Sequence, residues 1–96
     1  MDMVVGTLKL FFVLRESHSL KDKRRVLRRL KQVLFNKFRV AVAEVDHQDT
    51  WQRATLGIAA VGNDGEHVNA VLSKVVDSVR FVPEAEMLDY ELEIFR

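Results

Sequence analysis

The chain has 96 residues, of which 48% are hydrophobic and 30% charged, with one proline and no cysteine. This length and composition predict one small globular domain over residues 1–96, with a single core. The absence of cysteine excludes disulfides, thiolate metal sites and cysteine nucleophiles.

The chain also lacks the usual signs of a membrane or exported protein. It has no run of about 18 apolar residues, so we expect no membrane span. Its first residues lack a basic lead-in and a small-residue cleavage site, so we expect no signal peptide and a cytoplasmic location.

The net charge of +1 hides an uneven distribution. Residues 19–39 hold nine basic side chains and one acid, a net +8, and the rest of the chain is −7. Such an asymmetry concerns partners and association rates rather than the fold.

The first half of the chain predicts a strand followed by a helix. Residues alternate over Met3–Arg15 with β-branched and aromatic side chains, which predicts a strand whose even-numbered residues share one face. Ser19 and Asp22 form a pair similar to a capping box, and apolar residues then recur at helical spacing. We predict an amphipathic helix from Leu20 to about Asn36.

The second half predicts a hairpin, a second helix and a last strand. Alternation over Phe38–Val45 and Trp51–Val61, with a polar run between them, predicts two strands joined by a loop longer than two residues. A turn at residues 62–65 offers a cap, and apolar residues at helical spacing continue from Val68 to Val79. Leu88–Ile94 alternates again and predicts a half-buried strand.

The predicted element order is βαββαβ. We therefore expect an α+β, ferredoxin-like sandwich, with a four-stranded antiparallel sheet and both helices on one face. The first and third strands would be central, and the second and fourth would form the edges.

Three segments in register resemble the YlxP-like family, bacterial proteins of unknown function. They are Ser19–Arg24 (SLKDKR), Phe38–Asp46 (FRVAVAEVD) and Trp51–Gly57 (WQRATLG). One departure is Arg39, where the family pattern leads us to expect asparagine. The resemblance implies a ferredoxin-like fold and a gene neighbourhood shared with translation and ribosome-maturation factors. It implies no agreed activity and no catalytic residues.

The outward face of the first helix is almost wholly cationic. Arginine and lysine on one helix face suit phosphate oxygens and can follow a nucleic-acid backbone without reading its sequence. The alternatives are a solvated face neutralised by intramolecular ion pairs, as in heat-adapted proteins, and an acidic protein partner. The candidate nucleic-acid or anion-binding residues are Lys21, Lys23, Arg24, Arg25, Arg28, Arg29 and Lys31.

Lys23 differs from its neighbours because its helical angle places it on the apolar side, between Leu20 and Leu27. We expect its ammonium to bend out to water over its own stem. Two alternatives are a hydrogen bond to strand ends beneath the helix, and an anion held together with the N–H groups near Ser19.

The sheet face away from the helices is predicted to be small and apolar at its centre, with Asp89, Glu91 and Glu93 along one edge. A bare apolar sheet is a liability unless it is covered, so we expect a homodimer with two-fold symmetry. The candidate interface residues are Val5, Phe11, Val13, Ala41, Ala43, Val45, Ala59 and Val61.

Other candidate chemistry is weak. Glu44, Asp46, His47 and Asp49 offer hard oxygen and imidazole ligands, with Glu44 and Asp46 expected on one side of their strand, but their spacing matches no known metal site. Trp51 is expected to be packed. No nucleophile–base arrangement is recognisable, so we expect no catalysis, no metal and no cofactor.

Two functions follow as hypotheses. One is a small non-catalytic protein that contacts structured RNA or the ribosome through the first helix. The other is a homo-oligomeric interaction or assembly module that binds no nucleic acid.

Overall fold

A computed structural model describes residues 2–96, so Met1, the first residue of the predicted domain, lies outside the described part. The described chain contains four strands and two helices in the predicted order βαββαβ. They are β1 (Val4–Val13), α1 (Leu20–Phe38), β2 (Ala41–Asp46), β3 (Arg53–Gly62), α2 (Gly65–Val79) and β4 (Glu86–Phe95).

The sheet is antiparallel, with strand order β2-β3-β1-β4, which confirms the predicted α+β ferredoxin-like fold and its central strands. Even-numbered residues of β1, such as Leu8 and Leu10, are buried under the helices, and odd-numbered ones lie on the other face. The register carries this parity to β3, because Val5 lies opposite Val61 and Leu8 opposite Ile58. Neither helix of the described residues is both long and apolar enough to cross a bilayer.

The N-terminus of α1 is capped much as the sequence predicts. The Ser19 hydroxyl accepts a hydrogen bond from the Asp22 N–H at 3.0 Å. The Asp22 carboxylate accepts a hydrogen bond from the N–H of His18 at 3.1 Å. In a regular capping box it would accept from the N–H of the cap residue itself, Ser19. Two donors at the helix start are thus satisfied locally.

The end of α1 differs from the prediction. Phe38 belongs to the last helical turn and not to a strand, and β2 begins only at Ala41. Arg39 ends the helix in the left-handed conformation at φ 56°, and its N–H donates to the Phe35 carbonyl. Asparagine, the residue expected there from the family pattern, adopts this conformation more readily than arginine.

Both edge strands contain a β-bulge. In β2 the register shifts between Glu44 and Asp46, so Val45 is an extra residue. In β4 the register shifts opposite Phe11 and Phe12, which makes Leu88 the extra residue. The bulges rotate the side chains that follow relative to a regular strand.

Helix α2 lies directly on β1 because Gly6 presents no side chain. A Cβ at Gly6 would lie 2.5 Å from a methyl carbon of Val68 and 2.6 Å from one of Leu72, and both of these residues are buried. The close approach lets α2 fill the core over the centre of the sheet.

We predict that Gly6→Ala lowers the free energy of unfolding by about 1–3 kcal/mol, because two buried side chains must move. Urea unfolding followed by circular dichroism would measure this loss. Gly57→Ala is the matched control. Its Cβ would meet only the exposed Val45, which can rotate away, so we expect between no change and a gain of about 1 kcal/mol. Equal losses in the two variants would contradict this account of the helix–sheet contact.

Candidate polyanion-binding surface

Seven of the eight basic residues of α1 divide into three groups by their position around the helix, and the eighth, Lys37, lies in the last turn with its ammonium 5.4 Å from the centre of the Phe38 ring. Arg25 and Arg29 lie on the side towards α2 and form ion pairs. Arg25 pairs with Asp22 at 3.3 Å, and Arg29 pairs with Glu84 in the segment between α2 and β4. These two cations are already matched by carboxylates of the same molecule.

Four other cations lie together on the opposite flank of α1. At 100° per residue they fall within an arc of about 80°, and along the axis they span about 15 Å. Three are exposed and one is partly buried, and none of the four forms an ion pair with any residue in the 2–96 range. We call this set the basic stripe; its members are Lys21, Arg24, Arg28 and Lys31.

Two exposed aromatic side chains are relevant to this surface, one on α1 itself and one in the loop before β3. Phe35 falls inside the same arc at its C-terminal end, and 53% of its surface is exposed. Trp51, which the sequence predicts to be packed, is also 53% exposed. It precedes β3, which begins at Arg53, so the strand pairing that the prediction assumed does not reach it.

Lys23 does not belong to this surface. Its side chain is buried, with 1% exposure, and does not bend out to water as expected. Its ammonium donates to the carbonyls of His47 at 2.5 Å and Thr50 at 2.8 Å, and it lies 2.7 Å from Glu44 Oε2. Of the alternatives, hydrogen bonding beneath the helix is the one found, although the acceptors lie in the loop between β2 and β3 and not in a strand. The buried ammonium is thereby occupied, which contradicts the predicted role of Lys23 in anion binding.

The contacts of Lys23 join three parts of the chain, and we call them the Lys23 clasp. They connect the first turn of α1, strand β2 and the loop of residues 47–52. Glu44 Oε2 is itself buried and, in the described part of the chain, has this ammonium as its compensating charge. A buried carboxylate of this kind is costly without a cation, so both charges depend on each other.

Other contacts shape the loop at residues 47–52. His47 adopts a left-handed conformation at φ 61°, and its Nδ1 lies 2.9 Å from the Thr55 hydroxyl. The Gln52 side-chain amide donates to the carbonyls of Arg15 and Ser17. The loop is therefore tied both to α1 and to the segment that precedes it.

The residues considered for a metal site do not converge. The bulge at Val45 places Asp46 opposite Thr55, whereas Glu44 lies opposite Leu56, so the two carboxylates face different sides of the sheet and the expectation of a shared side is wrong. Glu44 is paired with Lys23, and Asp46 accepts a hydrogen bond from the His47 N–H. Residues 2–96 contain no group of three or more His, Asp or Glu residues that could hold a metal ion.

The sheet face away from the helices has the composition that parity predicts. It is apolar over most of β2 and β3, where Val61 is 67% exposed, and polar where Asp46 ends β2 and Arg53 begins β3. The acids of β4 lie on the same face, with Glu91 opposite Lys9 and Glu93 opposite Thr7. The acidic edge and the basic stripe are thus on opposite sides of the sheet.

The sequence of the chain matches one family model over residues 5–92, described as "Protein of unknown function (DUF503)". The chain belongs to this family. Among curated proteins, it is 36% identical over 83 residues to "Uncharacterized protein YlxP" of Bacillus subtilis (strain 168). That alignment covers 86% of this chain and 90% of the relative. The predicted resemblance to the YlxP-like family is confirmed.

Among solved structures, the chain resembles the "De novo designed protein Foldit4", with a TM-score of 0.60 and 13% sequence identity. The match covers 99% of this chain and 98% of the other. At this identity the likeness concerns the fold alone. Membership of DUF503 likewise assigns no activity, so function has to be argued from the surface.

We predict that Lys23→Met lowers the free energy of unfolding by about 3–5 kcal/mol, because it leaves Glu44 and two carbonyls without a partner. Chemical denaturation would measure the loss. Lys21→Met removes an exposed lysine two residues away and should change stability by no more than about 0.5 kcal/mol. Adding Glu44→Met to Lys23→Met should recover part of the loss. A Lys23→Met variant as stable as Lys21→Met would show that the clasp contributes little.

Proposed function

We propose that this protein is a small non-catalytic RNA-binding protein that uses the basic stripe to contact RNA, free or within the ribosome. The observation that carries the proposal is the set of four cations on one flank of α1 without carboxylate partners in the described chain. The gene neighbourhood among translation factors, which the family resemblance implies, supports RNA over other polyanions.

The geometry of the basic stripe suits a phosphate backbone. The cations recur along one side of a straight helix over about 15 Å, which is the length of several phosphate spacings along a strand. Arg24 and Arg28 are one turn apart and present planar donor groups that match phosphate oxygens. Phosphate contacts carry no information about the bases, so the basic stripe supports RNA binding that is largely independent of sequence.

The rest of the charge distribution restricts where RNA can lie. Asp89, Glu91 and Glu93 occupy the β4 side of the other sheet face, and like charge would repel phosphate there. RNA-recognition domains of similar topology bind through that sheet face. This protein would instead bind RNA on the helix side.

We predict that RNA binding falls steeply with salt. If all four cations contact phosphates, the slope of log affinity against log salt is about −2.8 for a single strand and about −3.6 for a duplex. Arg24→Gln with Arg28→Gln should make the slope shallower by about 1.4–1.8. Fluorescence anisotropy of labelled RNA at several salt concentrations would measure both quantities.

The control for this double variant is Lys74→Gln with Arg96→Gln. It removes the same charge from exposed positions on α2 and directly after β4, outside α1 and the loop that carries Trp51. We expect the control to keep the wild-type slope. Salt-independent binding, or equal effects of the two double variants, would refute the proposal. Arg25 and Arg29 are less suitable targets because they are already ion-paired.

For the apolar sheet face we propose a second function, assembly of two copies of this chain through β2 and β3. Val61 protrudes there beside a shallow depression lined by small residues, including Ala43, Gly57 and Ala59. Apart from Asp46 at the end of β2, the acids of this face lie on β4, at its far edge. A two-fold axis through the β2–β3 half would join apolar surface to apolar surface and keep the two acidic edges apart.

We predict that the protein is a dimer in light scattering and that Val61→Asp converts it to monomers, because two carboxylates would be brought into an apolar contact. Val61 is a better target than the partly buried Val13, since its change disturbs the monomer less. Phe81→Asp, at a position that is 87% exposed and outside this face, should leave the dimer intact. A monomeric wild type would dispose of the assembly proposal and leave the RNA proposal untouched.

A further inference from the structure

The Lys23 clasp holds the loop that carries an exposed tryptophan, Trp51, against the first turn of α1, where the basic stripe begins. The Thr50 carbonyl accepts a hydrogen bond from Lys23, and Trp51 is the next residue. Lys23 lies between two members of the stripe in sequence, Lys21 and Arg24, in the first turns of α1. The loop that carries Trp51 is therefore held at the N-terminal end of the stripe.

A second exposed aromatic ring lies on α1 itself. Phe35 follows Lys31 by one turn, lies within the same arc and is half exposed. Between Lys21 and Phe35 the helix rises by about 21 Å. One flank of α1 thus carries four cations and an exposed ring, and the loop held at the first turn of α1 carries a second exposed ring. Asp49, in the same loop as Trp51, adds a single negative charge.

Exposed cations and exposed aromatic rings bind different parts of a nucleic acid. Cations contact the phosphates of any RNA, but rings add binding free energy only where bases are unstacked and turned outwards. In a continuous duplex the bases are stacked inside the helix, and a surface ring meets only the backbone. Exposed rings that accompany a row of cations therefore select strands with unpaired bases.

We infer that the RNA recognised by the basic stripe has unpaired bases, as in the loops and ends of a structured RNA, and that Trp51 and Phe35 stack on them. This inference rests on the proposed RNA-binding function. It adds the class of RNA, and it assigns binding roles to two residues that charge alone would not select.

The test compares a single-stranded oligouridine of 12 nucleotides with a 12-base-pair RNA duplex, each labelled for anisotropy. Trp51 is the single tryptophan of the chain, so its own fluorescence reports on stacking. We expect the wild type to bind the single strand more tightly than the duplex and to show tryptophan quenching with the single strand.

Trp51→Ala and Phe35→Ala should each weaken single-strand binding by about 5- to 150-fold, which corresponds to the stacking of one base on one ring. Their binding to the duplex should be unchanged. Phe81→Ala is the matched control, because Phe81 is an exposed ring outside the stripe. It should bind both RNAs as the wild type does, and circular dichroism of all three variants should match the wild type.

The outcomes separate this inference from the proposed function. If Arg24→Gln with Arg28→Gln weakens binding while Trp51→Ala and Phe35→Ala do not, the stripe binds RNA without stacking and the inference is overturned. Tighter binding of the duplex than of the single strand would overturn it as well. If the wild type binds neither RNA, the proposed function falls and this inference falls with it.

Discussion

The buried ammonium of Lys23 is the contact on which the arrangement of this protein's surface depends. It joins the first turn of α1 to Glu44 and to two carbonyls of the loop that follows β2. The ammonium, the carboxylate oxygen and the two carbonyls are shielded from water and bond mainly to one another, so the Lys23 clasp holds the three segments in one geometry. Without it, α1 would still pack through its leucines, but the loop would be tied only to the segment before α1 and to β3, and no longer to the helix itself.

Charge is segregated because the fold gives each charged segment only one solvated side. The buried leucines of α1 face the sheet, so its cations other than Lys23 point outwards, and the acids of β4 lie on the sheet face that no helix covers. Ion pairs through Asp22 and Glu84 then match two of the cations on the side of α1 that faces α2. The four cations of the basic stripe, on the other flank, have no such partner in the described chain.

Much of the fold was predictable from the sequence because it depends on regular periodicities. Alternation in β1 predicted the inward face correctly, and helical spacing predicted both helices. The predicted start of a strand at Phe38 was wrong. An aromatic residue fits a strand as well as the last turn of a helix, and the helix end is fixed by the left-handed conformation of Arg39, which the sequence does not reveal.

The candidate site was less predictable, since its decisive contacts are distant in sequence. The carbonyl partners of Lys23 lie 24 and 27 residues away, and no local pattern marks the bulge that turns Asp46 from the side of Glu44. The sequence nevertheless contained a sign of this ion pair. Lys23 lies on the apolar side of a helix and Glu44 on the inward side of a strand, so two opposite charges face the same core. Likewise, the helical angle of Phe35 alone places it among the cations.

The two bulges bear on how the protein behaves when crowded. An edge strand with free N–H and C=O groups can recruit further strands and grow into a fibril. Here β2 is only six residues long and loses its regular ladder at Val45, while β4 is interrupted at Leu88 and lined with carboxylates. Neither margin of the sheet offers a long, neutral template, so we expect the folded protein to resist growth by edge-to-edge pairing at high concentration.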